Sequence, residues 1–184
     1  MKLLFYVFLY LYPASLLLGQ EASSLYQLSV PVRDSSRSIN MVVFQGKKVL
    51  VAVCDAYNPD SQLLVQLEDL QRKYQERLAV IVIPINDLAP SSKAVDTMRW
   101  QGLSGNYQVS RFSAGKKSSG SAQHPLLRWV TNKNENRHFD HDIKGGGYLF
   151  VISETGRLFA VLKPSMAVNG SVMGNILAMQ VPDH

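Results

Sequence analysis

Two long apolar runs with an amphipathic segment between them dominate the hydrophobic pattern of this chain. Residues 49–54 and Leu78–Ile85 have the length and the Val and Ile content of strands that are buried on both faces. The segment between them places apolar residues on one helical face, at Leu63, Leu67, Leu70 and Tyr74. Asn58 is predicted to cap this helix, with Pro59 in its first turn and its end near Arg77. The pattern predicts a β-α-β unit with parallel strands.

The loop between Cys54 and Ser61 joins the first strand of this unit to the helix. It lies at the carboxyl end of a central strand, where α/β proteins usually bind ligands and perform chemistry. It also faces the helix N-terminus, whose backbone N–H groups favour negative charge. We therefore expect any chemistry of this chain to be found at this loop.

The rest of the chain predicts short elements around the β-α-β unit. Residues 24–32 and Met41–Phe44 are predicted to form an N-terminal β-hairpin. Residues 148–152 and 157–162, joined by a Gly-containing turn, are predicted to form a second hairpin. The other predicted elements are helices at 93–101, 125–130 and 171–180, a strand at 107–112, and loops at 113–121 and 131–142.

The N-terminus has the form of a secretory signal peptide. Lys2 precedes an apolar run that Pro13 interrupts, and small residues lie close to Gly19. The alternative is an uncleaved anchor, but this run is shorter than the roughly 20 apolar residues that span a bilayer. We expect a signal peptide at residues 1–19, one mature domain at residues 20–184, no stable membrane span after cleavage, and a secreted or periplasmic location.

Charge and cysteine content narrow the function further. Loss of the signal peptide removes Lys2 and no acid, so the formal net charge falls from +5 to +4. The cations are scattered along the chain without interleaved aromatic residues, so nucleic-acid binding is not expected. Cys54 is the single cysteine, which rules out an internal disulfide and leaves stability to the apolar core.

Short motifs in a fixed order resemble the glutathione peroxidase family over residues 24–166. They are Leu25-Tyr26, Leu28-Ser29-Val30, residues 46–50, residues 66–74, Ile83-Pro84-Ile85-Asn86, His124-Pro125-Leu126, residues 148–152, Gly156 and Pro164. The resemblance implies an α/β, thioredoxin-like fold: a central mixed β-sheet flanked by helices, with an N-terminal β-hairpin.

The same resemblance implies where peroxidase residues would stand. The family uses a cysteine or selenocysteine in the loop after the first core strand, a Gln after the second strand, and a Trp-Asn pair before the last hairpin. In this sequence the nucleophile position falls on Asn58 or Pro59, and the other three fall on Asp87, Gly145 and Gly146. Since none of these residues supplies the family's chemistry, we expect peroxide reduction by that route to be lost.

Other candidate groups have a structural and a functional interpretation. Cys54 ends a Val-rich strand, where a buried and inert thiol is expected, although a shortened loop would turn it towards the helix N-terminus. The cluster at 138–142 contains His138, Asp140, His141 and Asp142, a possible metal site that is better explained as a solvated loop.

Three further motifs have less functional weight. His124 is expected to sit at a helix entry, and the Gly run at 145–147 is expected to leave a backbone-lined groove in place of larger side chains. Asn169-Gly170-Ser171 is a glycosylation sequon in a eukaryotic host only.

The sequence thus favours an exported, catalytically degenerate protein that binds a protein or a small molecule in its cleft, without cofactor or metal. The alternative is a thiol-dependent peroxidase or oxidoreductase that uses Cys54 and an external thiol reductant.

Overall fold

The computed structural model describes residues 24–33, 35–89, 94–100, 105–164, 166 and 168–180. The predicted signal peptide lies outside these residues. The strands are β1 (Ser29–Pro31), β2 (Ser38–Asn40), β3 (Lys48–Asp55), β4 (Leu78–Ile85), β5 (Gln108–Val109), β6 (Leu149–Ile152) and β7 (Leu158–Leu162). The α-helices are α1 (Ser61–Tyr74), α2 (Pro125–Thr131), α3 (Lys133–Asn136) and α4 (Ser171–Ala178).

A mixed five-stranded sheet organises the described residues. Its strand order is β5-β4-β3-β6-β7, so the predicted β-α-β unit lies at its centre and the C-terminal hairpin forms one side. β3 and β4 are parallel from the pair Lys48 and Leu78 to the pair Asp55 and Ile85. β6 runs antiparallel to both β3 and β7. A separate two-stranded sheet pairs β1 with β2.

Alternate side chains of the central strands form two apolar cores, one on each face of the sheet. On one face Leu50, Ala52 and Cys54 pack with buried residues of α1 and α4; we call this the α1–α4 face. On the other, Val49, Val51 and Val53 pack with α2, which defines the α2 face. Because successive side chains of a strand point to opposite faces of the sheet, the Cys54 side chain lies on the same face as Leu50 and Ala52, towards α1.

The second strand of the N-terminal hairpin lies earlier in the sequence than predicted. Met41–Phe44 is a 3₁₀ helix, and the strand that pairs with β1 is Ser38–Asn40. The Asn40 side chain explains the difference, because its Oδ1 accepts a hydrogen bond from the Val42 N–H (3.1 Å) and caps the turn. Val42 and Val43 are consequently exposed.

Four other predicted segments differ from the structure. Of the helix predicted at 93–101, the described residues form only the 3₁₀ turn Thr97–Trp100, and the strand predicted at 107–112 is reduced to β5. The loop predicted at 113–121 contains the 3₁₀ helix Lys117–Ala122. The loop predicted at 131–142 contains α3, which the Asn132 side chain caps. In α3, a local side-chain cap therefore orders a segment whose composition is that of a loop.

Within the part of the chain that the structure describes, no helix has both the length and the hydropathy needed to cross a membrane.

Candidate functional site

The loop after β3 is tied to the end of the neighbouring strand β4. The Ala56 N–H donates to the Ile85 carbonyl (3.0 Å), and the Tyr57 hydroxyl donates to the Asn86 carbonyl (2.7 Å). Within the loop, the Tyr57 N–H donates to Asp55 Oδ1 (2.8 Å). Tyr57 is thus held over the carboxyl ends of both central strands, in the region where the sequence analysis located the candidate site.

The N-terminus of α1 is capped by a carboxylate. Asp60 Oδ1 accepts from the Leu63 N–H (3.0 Å), and the helix begins at Ser61. The prediction that Asn58 caps the helix, with Pro59 in its first turn, is therefore wrong by two residues. Asp60 satisfies the same orphan N–H groups, whereas Asn58 is exposed and its Oδ1 lies 3.5 Å from Arg99 Nη1.

The thiol of Cys54 lies in the core on the α1–α4 face. Only 1% of the residue is exposed. Burial and, to a smaller extent, the carboxylates of Asp60 and then Asp55 together raise the pKa of Cys54 to about 12. The positive end of the α1 dipole does not offset these effects, because the Asp60 carboxylate occupies that helix end.

Asp87, at the position of the family's Gln, bonds to a different part of the molecule. Its Oδ2 accepts from the N–H groups of Gly115 (2.9 Å) and Lys116 (2.8 Å) and from the Ser119 hydroxyl (3.1 Å). Its Oδ1 is buried without a hydrogen-bond partner among the described residues. Asp87 therefore anchors the segment at 115–119, whereas the carbonyl of its neighbour Asn86 accepts from Tyr57 in the loop after β3.

The two glycines at the Trp-Asn positions have different surroundings. A Cβ atom on Gly146 would lie 2.9 Å from the Asp55 nitrogen and 3.4 Å from the Cys54 carbonyl carbon. A Cβ atom on Gly145 would have nothing within 4 Å. At Gly146 the backbone at the end of β3 therefore fills the space that the expected backbone-lined groove would occupy, whereas the space beside Gly145 is open.

Trp100 is a residue of this region that sequence reasoning missed as a site element. It is 1% exposed, and its indole N–H donates to the Ala56 carbonyl (2.9 Å). The sequence signal was limited to a Trp in a predicted amphipathic helix, which indicates only an apolar contact. The indole hydrogen bond fixes the loop and leaves this N–H group committed to a backbone carbonyl.

The structure brings together only some of the positions implied by the family resemblance. The loop of Cys54 and Asn58 and the backbone of Gly146 are neighbours. The bonded carboxylate oxygen of Asp87 lies instead against residues 115–119. The arrangement supplies a capped helix end, a buried thiol and a close backbone contact.

The side chains of the cluster at 138–142 have local structural roles. Asp140 forms an ion pair with Lys117, which lowers the pKa of its carboxyl, and Asp142 Oδ1 accepts from the Lys117 N–H (2.8 Å). His141 Nδ1 lies 3.1 Å from the Asp140 carbonyl. In the described portion of the chain, no three potential metal ligands are grouped to hold an ion.

His124 caps α2, the helix that covers one face of the sheet. Its Nδ1 accepts from the Leu126 N–H (3.2 Å), and burial lowers the pKa of the imidazole to about 4. Nε2 is buried and has no hydrogen-bond partner among the described residues. The ring is therefore neutral at pH 7 and acts as a structural cap.

The largest of the described clefts lies away from the loop, along the outer side of β7. It has a volume of about 380 Å³. Five consecutive residues at 157–161 line it, together with two residues of the loop after α3, His138 and Phe139. We call this cavity the edge cleft. A smaller cleft of about 240 Å³ lies between α1 and α4 and includes Asn169 of the sequon.

Comparison with known proteins establishes the fold. No protein-family model matches the sequence. No curated protein matches it either. Among solved structures, the glutathione peroxidase Trgpx in its apo form is 16% identical with a TM-score of 0.63, over 88% of this chain and 99% of that one. GPX1 of T. cruzi is 17% identical with a TM-score of 0.63, over 84% and 94%.

A third neighbour comes from the disulfide-exchange proteins. A Chlorobium tepidum protein described as a thiol:disulfide interchange protein DsbE is 13% identical with a TM-score of 0.54, over 84% of this chain and 92% of that one. At these identities the likeness shows the fold. The chain has a thioredoxin-like fold, and the resemblance to glutathione peroxidases is confirmed at the level of the fold.

Proposed function

We propose that this protein is an exported, non-catalytic binding protein built on the thioredoxin-like fold. The observation that carries the proposal is the state of Cys54: the single thiol of the chain is buried, and its pKa is raised to about 12. A thioredoxin-fold oxidoreductase needs an accessible thiolate as its nucleophile. The fold is present here, and such a nucleophile is not.

The charge state of the thiol gives the size of this effect. With a pKa of about 12, roughly 10⁻⁵ of the molecules carry a thiolate at pH 7. The few thiolates that form lie in the apolar core on the α1–α4 face, where the residue is 1% exposed, so a peroxide or disulfide cannot reach the sulfur without local opening. The rate of reaction at Cys54 is therefore lowered by two effects: the small thiolate fraction and the burial of the sulfur.

The groups around the loop add no alternative nucleophile or donor set. The Trp100 indole N–H bonds to the Ala56 carbonyl, and Asp60 bonds to the first turn of α1. Asn58, at the position that a nucleophile would occupy, is an exposed amide. These contacts support a loop that has kept its structural role within the fold and lost its chemistry.

Export is the second part of the proposal and rests on the N-terminal pattern. Cleavage near Gly19 would release a mature domain of residues 20–184 to the outside of the cell or to a periplasm. Mass spectrometry of the protein recovered from the culture medium or the periplasmic fraction tests this directly. Recovery of an uncleaved chain in the membrane fraction would contradict it.

The test of the non-catalytic proposal is a peroxidase assay on the purified mature protein. Hydrogen peroxide and a lipid hydroperoxide are offered with reduced glutathione, and in parallel with reduced thioredoxin and its reductase. We expect no turnover above that of the Cys54→Ser variant. A rate that depends on Cys54 would overturn the proposal and establish the alternative, a thiol-dependent peroxidase with an external reductant.

A matched variant shows whether the assay detects a usable thiol. The double variant Cys54→Ser, Asn58→Cys carries one thiol in the exposed loop position that the family resemblance assigns to the nucleophile. We expect it to react readily with a disulfide reagent at pH 7, because its sulfur is accessible. With the same reagent, an unreactive wild-type protein beside a reactive double variant would show that the burial of Cys54 accounts for its lack of reaction.

A further inference from the structure

The edge cleft follows a strand edge to which no other described strand is paired. β7 is the outermost strand of the sheet, next to β6. Its sequence, Leu-Phe-Ala-Val-Leu, is apolar throughout, and its three middle residues are only half-buried. Exposed edge strands of stable proteins usually carry charges, Pro or bulges that prevent pairing with another chain. The β6–β7 register is irregular at Val151 and Ile152, and Arg157 and Lys163 flank the strand, so this edge is protected in part. The five residues of β7 itself carry no charge and no Pro, which leaves the edge open to a partner of complementary charge.

Five consecutive residues line the cleft, so it runs along the edge of β7 and involves both faces of the sheet. Leu158 and Val161 pack on the α2 face, and Phe159 and Ala160 pack on the α1–α4 face. A strand added beside β7 would meet the backbone of β7 and place alternate side chains on these two faces. The geometry suits an extended segment better than a compact ligand.

The opposite wall of the cleft is fixed by one buried amide. The Asn136 side chain donates to the carbonyls of Trp129 (2.9 Å), Val130 (3.0 Å) and Phe139 (2.9 Å). Its Oδ1 accepts from the N–H groups of His138 and Phe139, both at 2.7 Å. The loop that presents these two residues to the cleft is consequently pre-organised, which lowers the cost of ordering on binding.

The charges at the cleft are positive. Of the described residues that line it, Arg157 is the one Lys or Arg residue, and no carboxylate lies in the lining. Lys163 follows the other end of β7, and both cationic side chains are exposed. Lys163 is six residues further along the chain than Arg157, a span of about 20 Å in extended chain. An occupant with an acidic group near each end and an apolar middle would complement this arrangement.

A second copy of the chain is a poorer occupant of this edge. Antiparallel pairing of two β7 strands centred on Ala160 would place Arg157 of one copy opposite Lys163 of the other. Parallel pairing in register would place each cation beside its own equivalent. Like charges directly opposite each other destabilise a strand pair. The charges of β7 therefore favour a different, acidic chain.

We propose that the edge cleft binds an extended segment of a partner protein, acidic at both ends and apolar between, as an added strand on β7. The proposal deepens the proposed binding function and rests on it for its biological role. The backbone of β7 supplies the hydrogen bonds of the added strand. Arg157 and Lys163 favour an acidic strand, and His138 and Phe139, on the opposite side of the edge cleft, contact the apolar centre of that strand.

The test uses the mature protein, labelled with ¹⁵N, and the peptide Ac-Asp-Val-Ala-Ile-Ala-Val-Asp-NH₂, which has an acidic residue at each end and an apolar middle. We expect amide chemical-shift changes that saturate at millimolar peptide and concentrate at residues 138–139 and 157–163. A peptide with Lys in place of both Asp, and a peptide N-methylated at alternate residues, are the matched controls. Both are expected to lose binding, the first by charge and the second by loss of backbone donors.

Exchange of charge on the protein provides the reciprocal test. The variant Arg157→Glu, Lys163→Glu is expected to bind the acidic peptide about tenfold more weakly at low salt and to gain affinity for the Lys peptide. Unchanged thermal unfolding confirms that the variant is folded, as expected for two exposed side chains. Equal affinity of the wild type for both peptides would overturn the charge selection, and binding of the N-methylated peptide would overturn strand addition.

The remaining outcomes separate this proposal from the proposed function. Absence of shift changes at β7 with an inert Cys54 would refute the edge site and leave the non-catalytic proposal in place. Peroxide turnover through Cys54 would refute the non-catalytic proposal whatever the peptide does. Sedimentation of the protein as a dimer that the acidic peptide dissociates would assign the edge to a second copy and overturn the proposal.

Discussion

Gly146 offers a sensitive test of the packing around the loop after β3. Replacing it with Ala adds a Cβ atom that would lie 2.9 Å from the Asp55 nitrogen, inside the distance at which real Cβ contacts occur. The neighbouring atoms belong to the backbone of Cys54 and Asp55, which is the junction of β3 and the loop. Backbone at the end of a central strand cannot rotate away as a flexible side chain would, so the strain must be absorbed by displacement.

The size of the effect follows from overpacking in a close-packed region. Forcing one methyl group into such a site costs about 1–3 kcal/mol of unfolding free energy. For a chain of this size, each 1 kcal/mol lowers Tm by about 2–4 °C. Gly146→Ala is therefore expected to lower Tm by about 2–12 °C. Gly145→Ala should change it little, because its Cβ atom would enter open space.

Thermal and urea unfolding of the two variants and the wild type, followed by circular dichroism, measure this difference. Gly145→Ala is the matched control, since it makes the same chemical change one residue away. Equal Tm values for all three proteins would refute the close contact at Gly146. Equal destabilisation by both variants would show that backbone freedom of the Gly run, rather than contact with the loop, determines the cost.

Three further predictions concern charges near the core. Asp60→Asn should lower the pKa of Cys54 yet leave it above its ordinary value, because burial is the larger cause; ultraviolet absorbance of the thiolate measures it. For His124, burial lowers the pKa of the folded state from 6.5 to about 4, so the unfolded state binds the proton at a higher pH than the folded state does. The free energy of unfolding should therefore be constant above pH 6.5 and fall by about 3 kcal/mol as the pH decreases to 4. Urea unfolding across this pH range measures the change. Glu154→Gln should cost about 1–3 kcal/mol, measured by urea unfolding, because Lys48 is buried and forms an ion pair with Glu154.

Each of these predictions has a control and a contradicting result. Asp60→Ala removes the helix cap as well as the charge and should lower the free energy of unfolding by about 1 kcal/mol. If the pKa of Cys54 were unchanged in both Asp60→Asn and Asp60→Ala, the electrostatic effect of Asp60 would be contradicted. His124→Asn keeps a capping oxygen without a titrating ring; if its loss of stability below pH 6.5 matched that of the wild type, other groups would be responsible. Glu154→Gln as stable as the wild type would show that the Met179 carbonyl alone satisfies Lys48.

The sequence was sufficient for the centre of the fold because β3, β4 and α1 have strong and distinct periodicities. Two eight-residue strands buried along their length leave few alternatives to a parallel pair with a helical crossover. The C-terminal hairpin was equally well marked by its Gly-containing turn. Each of these elements has an unambiguous hydrophobic pattern along its own length, so tertiary packing does not change its secondary structure.

Elements that depend on one side chain were less predictable. Asn58 and Asp60 are both good helix caps, and the choice between them depends on where the loop meets β4, which only the tertiary structure fixes. Met41–Phe44 has the composition of a strand, but the Asn40 cap turns it into a 3₁₀ helix. Short segments have too little pattern to outweigh a single capping hydrogen bond.

For the candidate sites, too, some features could be predicted from the sequence and others could not. The positions Asn58, Asp87, Gly145 and Gly146 could be assigned by counting along the chain, although the hydrogen bonds of Asp87 could not. The edge cleft joins His138 and Phe139 to a strand almost 20 residues later. The only sequence signal for it was the apolar composition of β7, which alone indicates a buried strand.

The central claim, that the single thiol of this thioredoxin-like protein is inert, is tested most directly at the sulfur itself. The measurement is the rate of Cys54 modification by a disulfide reagent at pH 7, in native protein and in urea, with Cys54→Ser as the blank. We predict that the urea-unfolded protein reacts completely within the mixing time of a manual assay and that the native protein reacts orders of magnitude more slowly, at a rate set by local opening. Native protein that reacts as fast as the unfolded chain would contradict the account.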